Sequence, residues 1–219
     1  MTDTTIATDT PPETPASESD IAHYSQLDAA ETKAWQMLEA GAKSYKKPFH
    51  TVTLATVTAD GAPQARTVVL READQKTRIL RANTDLRAPK AQQLLHDSRA
   101  QLLFYDAAAK AQIRLTVRAE VLTEGAVRDG IWATTAPGSK VCYLAVDTPG
   151  TPRPQGTSGL PDFADGGQRV PADLLEAGSE NFAVMRFHTQ KLDWLYLDSA
   201  GHRRAIFDYE AGTSAWVIP

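Results

Sequence analysis

The sequence predicts a mainly β protein, a small antiparallel β-barrel with flanking helices. Short runs rich in β-branched residues follow one another closely, and tight polar turns separate them. Only two or three segments show the three- and four-residue spacing of an amphipathic helix. Two tight connections in succession favour an antiparallel meander over a crossover between parallel strands. About seven such strands with few helices are typical of a closed β-barrel.

Local patterns define each element in turn. From Asp28, apolar residues at helical spacing predict an amphipathic helix that Pro48 ends. Asp60-Gly61 marks the first hairpin, and a second helix should carry Pro89 in its first turn behind a cap at residues 83–85. The remaining elements are strands over 51–57, 65–70, 78–82, 100–105 and 112–122, a helix over 124–133, and strands over 181–188, 191–197 and 203–209.

The composition limits the class of protein. With 219 residues, 42% hydrophobic and 23% charged, the chain resembles a soluble globular protein of one domain, or at most two small ones. The first 25 residues are rich in Thr, Pro, Ser, Asp and Glu, so residues 1–25 are predicted to be a flexible tail and 26–219 the folded domain. A net charge of −4 argues against a nucleic-acid partner. We expect a cytoplasmic protein with no membrane partner, because neither a membrane span nor a signal peptide is recognisable.

Several kinds of site are excluded or disfavoured. Cys142 is the only cysteine, so an intrachain disulfide and a cysteine-rich zinc site are impossible. The five histidines lack metal-ligand spacing, and no metal site is predicted. Glycine-rich dinucleotide and P-loop motifs are absent, as is a GxSxG nucleophile elbow.

The stretch from Arg66 to Lys90 carries the strongest functional signal. Its cations are Arg66, Arg71, Arg87 and Lys90, and any one of them alone is as well explained as a solvated surface charge. Arg87 and Lys90 lie at the start of a predicted helix, where free N–H groups and the helix dipole favour an anion. Guanidinium groups bind phosphate oxygens in bidentate fashion. Together the cations predict a phosphate-binding patch beside a strand pair.

The same stretch resembles a known family. Residues 66–71 read Arg-Thr-Val-Val-Leu-Arg, which is similar to the Arg-x-Val-Leu-Leu-Lys flavin-binding strand of the pyridoxamine 5′-phosphate oxidases. The similarity spans about Phe49 to the C-terminus, with Trp194 where the family has the tryptophan of its penultimate strand. Residues 47–50 and 216–219 resemble the uncharacterised, oxidase-related FMN-binding branch.

This resemblance implies an FMN-binding split barrel and a homodimer with FMN held between the chains. It implies that Arg66, Arg87 and Lys90 bind the FMN phosphate. The backbone of residues 68–69 would face the isoalloxazine ring, and Arg71 would reach polar atoms of the flavin. The full set implied to contact the cofactor is Arg66, Thr67, Val68, Val69, Leu70, Arg71, Ala82, Arg87, Lys90, Gln112, Trp194 and Arg204.

Two members of that set have an equally simple structural interpretation. Gln112 would reach polar atoms of the flavin, or it is a solvated residue at a strand end. Trp194 would approach the flavin from the partner subunit, or it packs in the core. The proline- and glycine-rich residues 147–171 are either a lid over the site or an irregular surface loop, and both interpretations stay open.

Other positions depart from the family pattern. Ala205 stands where the oxidases have a histidine that contacts pyridoxal phosphate, and Ile206 replaces an arginine for which Arg204 could compensate. Near Ser139, Ile131 and Thr135 replace the tyrosine and arginine of the substrate-phosphate cluster. FMN binding is therefore expected, whereas a phosphorylated pyridoxine substrate is not.

The expected function is that of an FMN-dependent oxidoreductase with an unidentified small-molecule substrate. The flavin would carry the redox chemistry, so no acid or base side chain is nominated. A non-catalytic flavin- or haem-binding storage or sensor protein is one alternative. A purely structural β-barrel interaction domain is another.

Overall fold

The computed structural model describes residues 25–219, so nearly all of the predicted flexible tail, residues 1–25, lies outside the described residues. Within that range the chain forms eight strands and five α-helices joined by short 3₁₀ turns. The strands are β1 Thr51–Val57, β2 Pro63–Asp74, β3 Ile79–Asp85, β4 Arg99–Asp106, β5 Ala111–Leu122, β6 Phe182–Tyr196, β7 Arg203–Asp208 and β8 Thr213–Val217. The helices are α1 Leu27–Lys43, α2 Pro89–His96, α3 Ala126–Thr134, α4 Pro137–Lys140 and α5 Ala172–Leu175.

Six of the strands close into an antiparallel barrel. The hydrogen-bonded order is β3-β2-β1-β4-β5-β6, and β6 pairs with β3 to complete the ring. β7 and β8 extend the sheet beyond β6, outside the closed ring. The predicted β-barrel with flanking helices is confirmed.

The barrel interior is filled by alternate residues of its strands, as the period of two requires. In β5, Ile113, Leu115 and Val117 are buried, whereas the residues between them are more exposed. α1 packs its apolar face on the same core through Trp35, which is 0% exposed. The Trp35 indole N–H donates to the hydroxyl of Tyr209, 2.9 Å away, which ties α1 to the end of β7. Burial of this helix face accounts for its predicted amphipathic spacing.

The segment over 182–196 differs from its prediction as two strands. It is one strand of 15 residues, β6, whose first half pairs with β3 and whose second half pairs with β7. β5 runs beside it throughout, with a register shift between Thr116 and Val117. A β-bulge of this kind absorbs an extra residue without ending the strand. The polar residues Thr189 and Gln190 therefore continue the strand where a turn was expected.

Residues 83–85 also differ from their prediction as a helix cap. They are the last residues of β3, with Asn83 opposite Val184 and Asp85 opposite Phe182 in β6. Strand pairing satisfies their backbone groups, so the helix cannot begin there. α2 begins later, at Pro89, whose fixed φ suits a first helical turn.

None of the helices in the described part of the chain is both long and apolar enough to cross a membrane.

Candidate functional site

A gap opens between β2 and β3. The two strands pair only from Leu70 opposite Ala82 onwards, with an irregularity at Arg71. Within the described structure, residues 63–69 of β2 pair with β1 alone, while residues 83–85 of β3 pair with β6. We call the space between residues 66–70 and 83–90 the split. Since every residue of a strand carries an N–H and a C=O, the free edge of β2 presents backbone hydrogen-bonding groups to the split.

Arg66 lies at the mouth of the split, and its hydrogen-bond partners among the described residues are all neutral. It is half-buried, and its guanidinium donates to the hydroxyl of Thr56, to the carbonyl of Leu54 at 3.3 Å and to Oε1 of Gln93 at 3.0 Å. Burial lowers the pKa of Arg66. Its charge is therefore partly desolvated and is not balanced by a carboxylate in direct contact, which favours an anionic ligand.

Lys90, in the first turn of α2, adds a second cation. Burial lowers the pKa of Lys90, and the nearby charge of Arg66 lowers it further, while Asp85 acts in the opposite direction. Lys90 and Gln93 are three residues apart and so share one face of α2. The helix also begins without a side-chain cap, leaving its dipole available. A phosphate monoester, with a charge of about −2, fits this pair of cations.

Arg87 is placed differently from the other two cations. Its guanidinium forms an ion pair with Asp85, with Nη2 to Oδ2 at 2.7 Å. The same nitrogen donates to the carbonyl of Ala145 at 2.8 Å, and Nη1 donates to that of Val146 at 3.3 Å. The Asp85 carboxylate thus compensates the charge of Arg87. This contact raises the pKa of Arg87.

The remaining residues of the predicted flavin strand form one wall of the split. Val68 and Leu70 are buried and point into the barrel, so only their backbone is accessible from the split. Thr67 is exposed and Val69 is half-buried on the opposite face of β2. Ala82 is 0% exposed beneath this wall. This arrangement offers a ligand the edge of a strand, with few polar side chains.

Arg71 lies at the irregularity in β2 and is exposed. Burial raises the pKa of the Cys142 thiol, and the charges of Arg71 and Lys90 counteract that rise. Both cations therefore lie near Cys142, in the 3₁₀ turn that follows α4. The turn containing Cys142 thus flanks the split.

Residues 32–123 match the family described as pyridoxamine 5′-phosphate oxidase, FMN-binding domain. Through this segment, the chain is similar to the FMN-binding domain of the pyridoxamine 5′-phosphate oxidases. The matched segment contains the whole of the split, from the Arg66 strand to the first turn of α2.

Curated relatives of the chain are oxidases of this family. Pyridoxine/pyridoxamine 5′-phosphate oxidase 2 of Arabidopsis thaliana is 27% identical over 195 residues, which cover 83% of this chain and 93% of that protein. Pyridoxine/pyridoxamine 5′-phosphate oxidase of Caulobacter vibrioides is 34% identical over 109 residues, 50% of this chain and 47% of that protein. The similarity to the bacterial relative thus spans about half of its length.

Solved structures share the fold. A pyridoxamine 5′-phosphate oxidase-related, FMN-binding protein of Nostoc punctiforme superposes with a TM-score of 0.68 at 22% identity, covering 86% of this chain and 96% of its own. PhzG of Burkholderia lata, in complex with tetrahydrophenazine-1-carboxylic acid, superposes with a TM-score of 0.62 at 18% identity, covering 94% and 98%. The fold is a split barrel like that of these structures.

Three residues that the family resemblance implies contact FMN lie close to one another but away from the split. They are Gln112, Trp194 and Arg204. Gln112 pairs with Leu195, and Leu195 with Arg204, so these residues form one row across β5, β6 and β7. Trp194 lies nine positions along β6 from Met185, the partner of Ala82. At about 3.3 Å per residue, this is roughly 30 Å along the strand.

Within this chain, Trp194 is a core residue. It is 1% exposed, and its ring meets that of Trp216 edge-on, with 6.1 Å between centroids. Arg204 makes a bidentate ion pair with Asp193, which Arg114 also contacts. This geometry agrees with the core-packing interpretation of Trp194. The roles of Gln112, Trp194 and Arg204 towards a flavin stay predictions.

The structure adds residues to the site that the sequence interpretation missed. Thr56 and Gln93 orient Arg66, and Asp85 holds Arg87. Gln93 could have been found from its three-residue spacing to Lys90 on a helix. Thr56 could not, because its contact depends on the pairing of β1 with β2. No group of three or more His, Cys, Asp or Glu side chains in residues 25–219 is arranged to hold a metal ion.

Proposed function

We propose that the split binds FMN, with its phosphate on Arg66 and Lys90 and its isoalloxazine ring against the free edge of β2. The observation that carries this proposal is a pair of half-buried cations that no carboxylate of residues 25–219 contacts directly, beside a strand edge left unpaired by the described strands. Val68 and Val69 would offer backbone groups to the ring, and Arg71 would lie near its polar rim. Arg87 would support the site through Asp85 and would not bind the phosphate directly.

The function that this site supports best is that of an FMN-dependent oxidoreductase. Bound FMN would supply the redox chemistry. The chain would bind the phosphate, orient the ring along β2 and exclude water from the ring face that lies on the barrel. The departures at Ala205 and Ile206 support a substrate other than phosphorylated pyridoxine. The lone Cys142 is compatible with a reducing cytoplasm, where we expect the protein to act.

We further propose that the protein is a homodimer with FMN between its chains. Support comes from a shallow depression on the outer face of the barrel, lined in part by Ala55, Ala65, Leu103 and Asp193. Leu103 is 38% exposed there and, with Ala55 and Ala65, gives the depression apolar surface that a second chain would bury. Arg204 lies at the edge of this surface through its ion pair with Asp193, so it is placed to reach a second chain.

The decisive experiment is a double charge reversal, Arg66→Glu with Lys90→Glu. We expect it to weaken FMN binding at least about 100-fold, because two charge-assisted phosphate contacts are replaced by repulsion. The measurement is a fluorescence titration of the FMN-free protein. The matched control is Lys76→Glu with Arg118→Glu. It reverses the same number of charges, at exposed positions away from the split.

Two results would refute the FMN assignment. One is unchanged FMN affinity in the double variant. The other is a wild-type protein that is colourless when purified and binds no added FMN, which would indicate a structural β-barrel. A protein that retains FMN but is not reduced by NADH, NADPH or any substrate tested would be a storage or sensor protein.

Haem is less well supported than FMN as the ligand. The histidines among residues 25–219 have contacts that place them elsewhere. His50 lies against the carbonyl of Gly41, His188 contacts Glu120 and His202 accepts from the backbone of Asp198, while His96 is at the far end of α2. The described residues therefore bring no imidazole to the split for an axial iron ligand.

A further inference from the structure

Arg87 links two segments of the chain that are distant in sequence. An arginine side chain has five N–H donors, and Arg87 makes four hydrogen bonds with them, two to the carboxylate of Asp85 and one each to the carbonyls of Ala145 and Val146. Asp85 Oδ1 also accepts from the backbone N–H of Arg87 at 2.8 Å, which fixes the carboxylate. The guanidinium thus connects the end of β3 to a segment 58 residues further along the chain.

The segment that Arg87 holds is residues 145–159, which we call the strap. The N–H of Val146 donates to the carbonyl of Gly159 at 2.9 Å and closes the strap into a loop. Near its middle, the position of a Cβ on Gly150 would lie 4.0 Å from Cγ of Pro89. The strap therefore lies beside the first turn of α2, one residue from Lys90.

The strap is firmly held at its base and weakly held along its length. Beneath its base lies a small apolar cluster formed by Leu144, Ala164, Val170 and Leu175. Residues 151–158, by contrast, are all exposed. A segment with few buried contacts opens locally at low cost. The contacts from Arg87 are therefore well placed to decide how often the strap leaves α2.

We propose that Arg87 is a positioning residue that holds the strap against the first turn of α2 and so slows the release of the phosphate-bearing ligand from Lys90. This inference rests on the proposed function, since it concerns the same phosphate site. The strap approaches Pro89, the residue before Lys90, and shares a cavity with Cys142 at the rim of the split. With Arg87 in place, the phosphate end of the ligand leaves only when the strap lifts.

The test compares Arg87→Ala and Arg87→Lys with the wild-type protein. Hydrogen exchange of peptides containing Val146, measured without FMN, reports on the strap itself. The FMN dissociation rate, measured by dilution and recovery of flavin fluorescence, reports on ligand release. Arg118→Ala, at an exposed position of β5, is the matched control. Circular dichroism and exchange in the barrel strands establish that each variant is folded.

We expect Arg87→Ala to raise both rates about tenfold, the factor expected for the loss of roughly one charge-assisted hydrogen bond. Arg87→Lys should behave in the same way, because an ammonium keeps the charge but cannot span Asp85 and two carbonyls. Recovery of wild-type release by Arg87→Lys would overturn the inference, because it would indicate a direct charge effect on the phosphate.

The strap measurement separates this inference from the proposed function. If strap exchange rises while FMN release is unchanged, the strap does not retain the ligand and only the inference fails. Faster FMN release with an unaltered strap would also overturn it. A wild-type protein that binds no FMN would refute the proposed function and the inference together.

Discussion

Arg66, Arg87 and Lys90 carry the same formal charge, yet their surroundings give them different properties. Arg87 is paired with Asp85, and its pKa is raised. Arg66 has neutral partners and its pKa is lowered by burial, while the pKa of Lys90 is lowered by burial first and by the charge of Arg66 second. Keeping unpaired charge half-buried costs stability, which a bound phosphate would restore. At this scale, the candidate site is distinguished by two cations that no carboxylate in the described part of the chain contacts directly.

Replacing Lys90 by methionine should therefore stabilise the FMN-free protein and weaken FMN binding. With the pKa of Lys90 lowered in the folded state, the unfolded chain binds more protons between the two pKa values, and stability rises with pH there. Below the folded-state pKa, Lys90 is charged in the folded protein, and burial of this charge lowers the free energy of unfolding. Its removal should raise the melting temperature at pH 7 by about 2–4 °C, the shift that ~1 kcal/mol produces in a chain of this size.

Thermal melts with and without FMN check this prediction. Lys76→Met, in an exposed turn, is the control and should leave the melting temperature nearly unchanged. A Lys90→Met protein that melts at a lower temperature than the wild type without FMN would show that burial of the ammonium carries no net cost.

At the scale of elements, the position of α1 depends on a close approach to the 3₁₀ turn Pro48–His50. Gly41 in the last turns of α1 lies directly against Phe49, which is buried and packs on Phe104 with 5.2 Å between ring centroids. A Cβ on Gly41 would lie 2.5 Å from the carbonyl carbon of Phe49. Glycine at this position allows the helix and the start of β1 to share one core.

Gly41→Ala and Gly130→Ala should change stability in opposite directions. Alanine favours a helix over glycine by about 1 kcal/mol. At Gly41 the clash with backbone atoms should outweigh that gain and destabilise the protein by about 2 kcal/mol. At Gly130, in α3, no atom lies within 4 Å of the added Cβ, so a gain of up to about 1 kcal/mol is expected.

Urea denaturation of the two variants measures both effects. Each variant serves as the control for the other, because the chemical change is the same and only the surroundings differ. Equal changes in the free energy of unfolding would refute the close approach of α1 to Phe49.

At the scale of the whole molecule, the barrel is closed by β6 and open between β2 and β3. β6 can close it because its 15 residues pair first with β3 and then with β7, with β5 alongside throughout. β3 pairs with β6 along its whole length, from Ile79 to Asp85, but its pairing with β2 ends at Ala82, so the neighbouring edge of β2 is free. The strand that closes the barrel against β6 thus also forms one side of the split.

Leu103→Glu should disrupt the proposed homodimer and weaken FMN binding at least about tenfold. A charge placed in the core of an apolar interface is desolvated without a partner. Light scattering gives the mass of the particle, and a fluorescence titration gives the FMN affinity. Val127→Glu, at an exposed apolar position on α3, is the control. A wild-type protein that is monomeric and binds FMN tightly would refute the dimer proposal.

The sequence by itself determined the order of most elements and the location of the cations that we propose to bind phosphate. Period-two runs and Asp60-Gly61 are local signals, so β1 was predicted at its observed bounds, Thr51–Val57. The cations of the Arg66–Lys90 stretch were visible because residues on neighbouring short elements stay close in space. The sequence could not distinguish the roles of these cations, because it does not show which of them has a carboxylate beside it.

Only the tertiary structure decided where the barrel splits and which cation is neutralised. The end of β3 pairs with β6, about 100 residues away, and Arg87 reaches carbonyls 58 residues away. Local propensity predicted a helix cap at residues 83–85 and a break within β6, and long-range pairing overrode both. The burial of Trp194 against Trp216 likewise depends on the register of β6, β7 and β8. The physical reason is that pairing register and charge compensation depend on partners distant in the chain, whereas hydrophobic period and turn chemistry depend on neighbours.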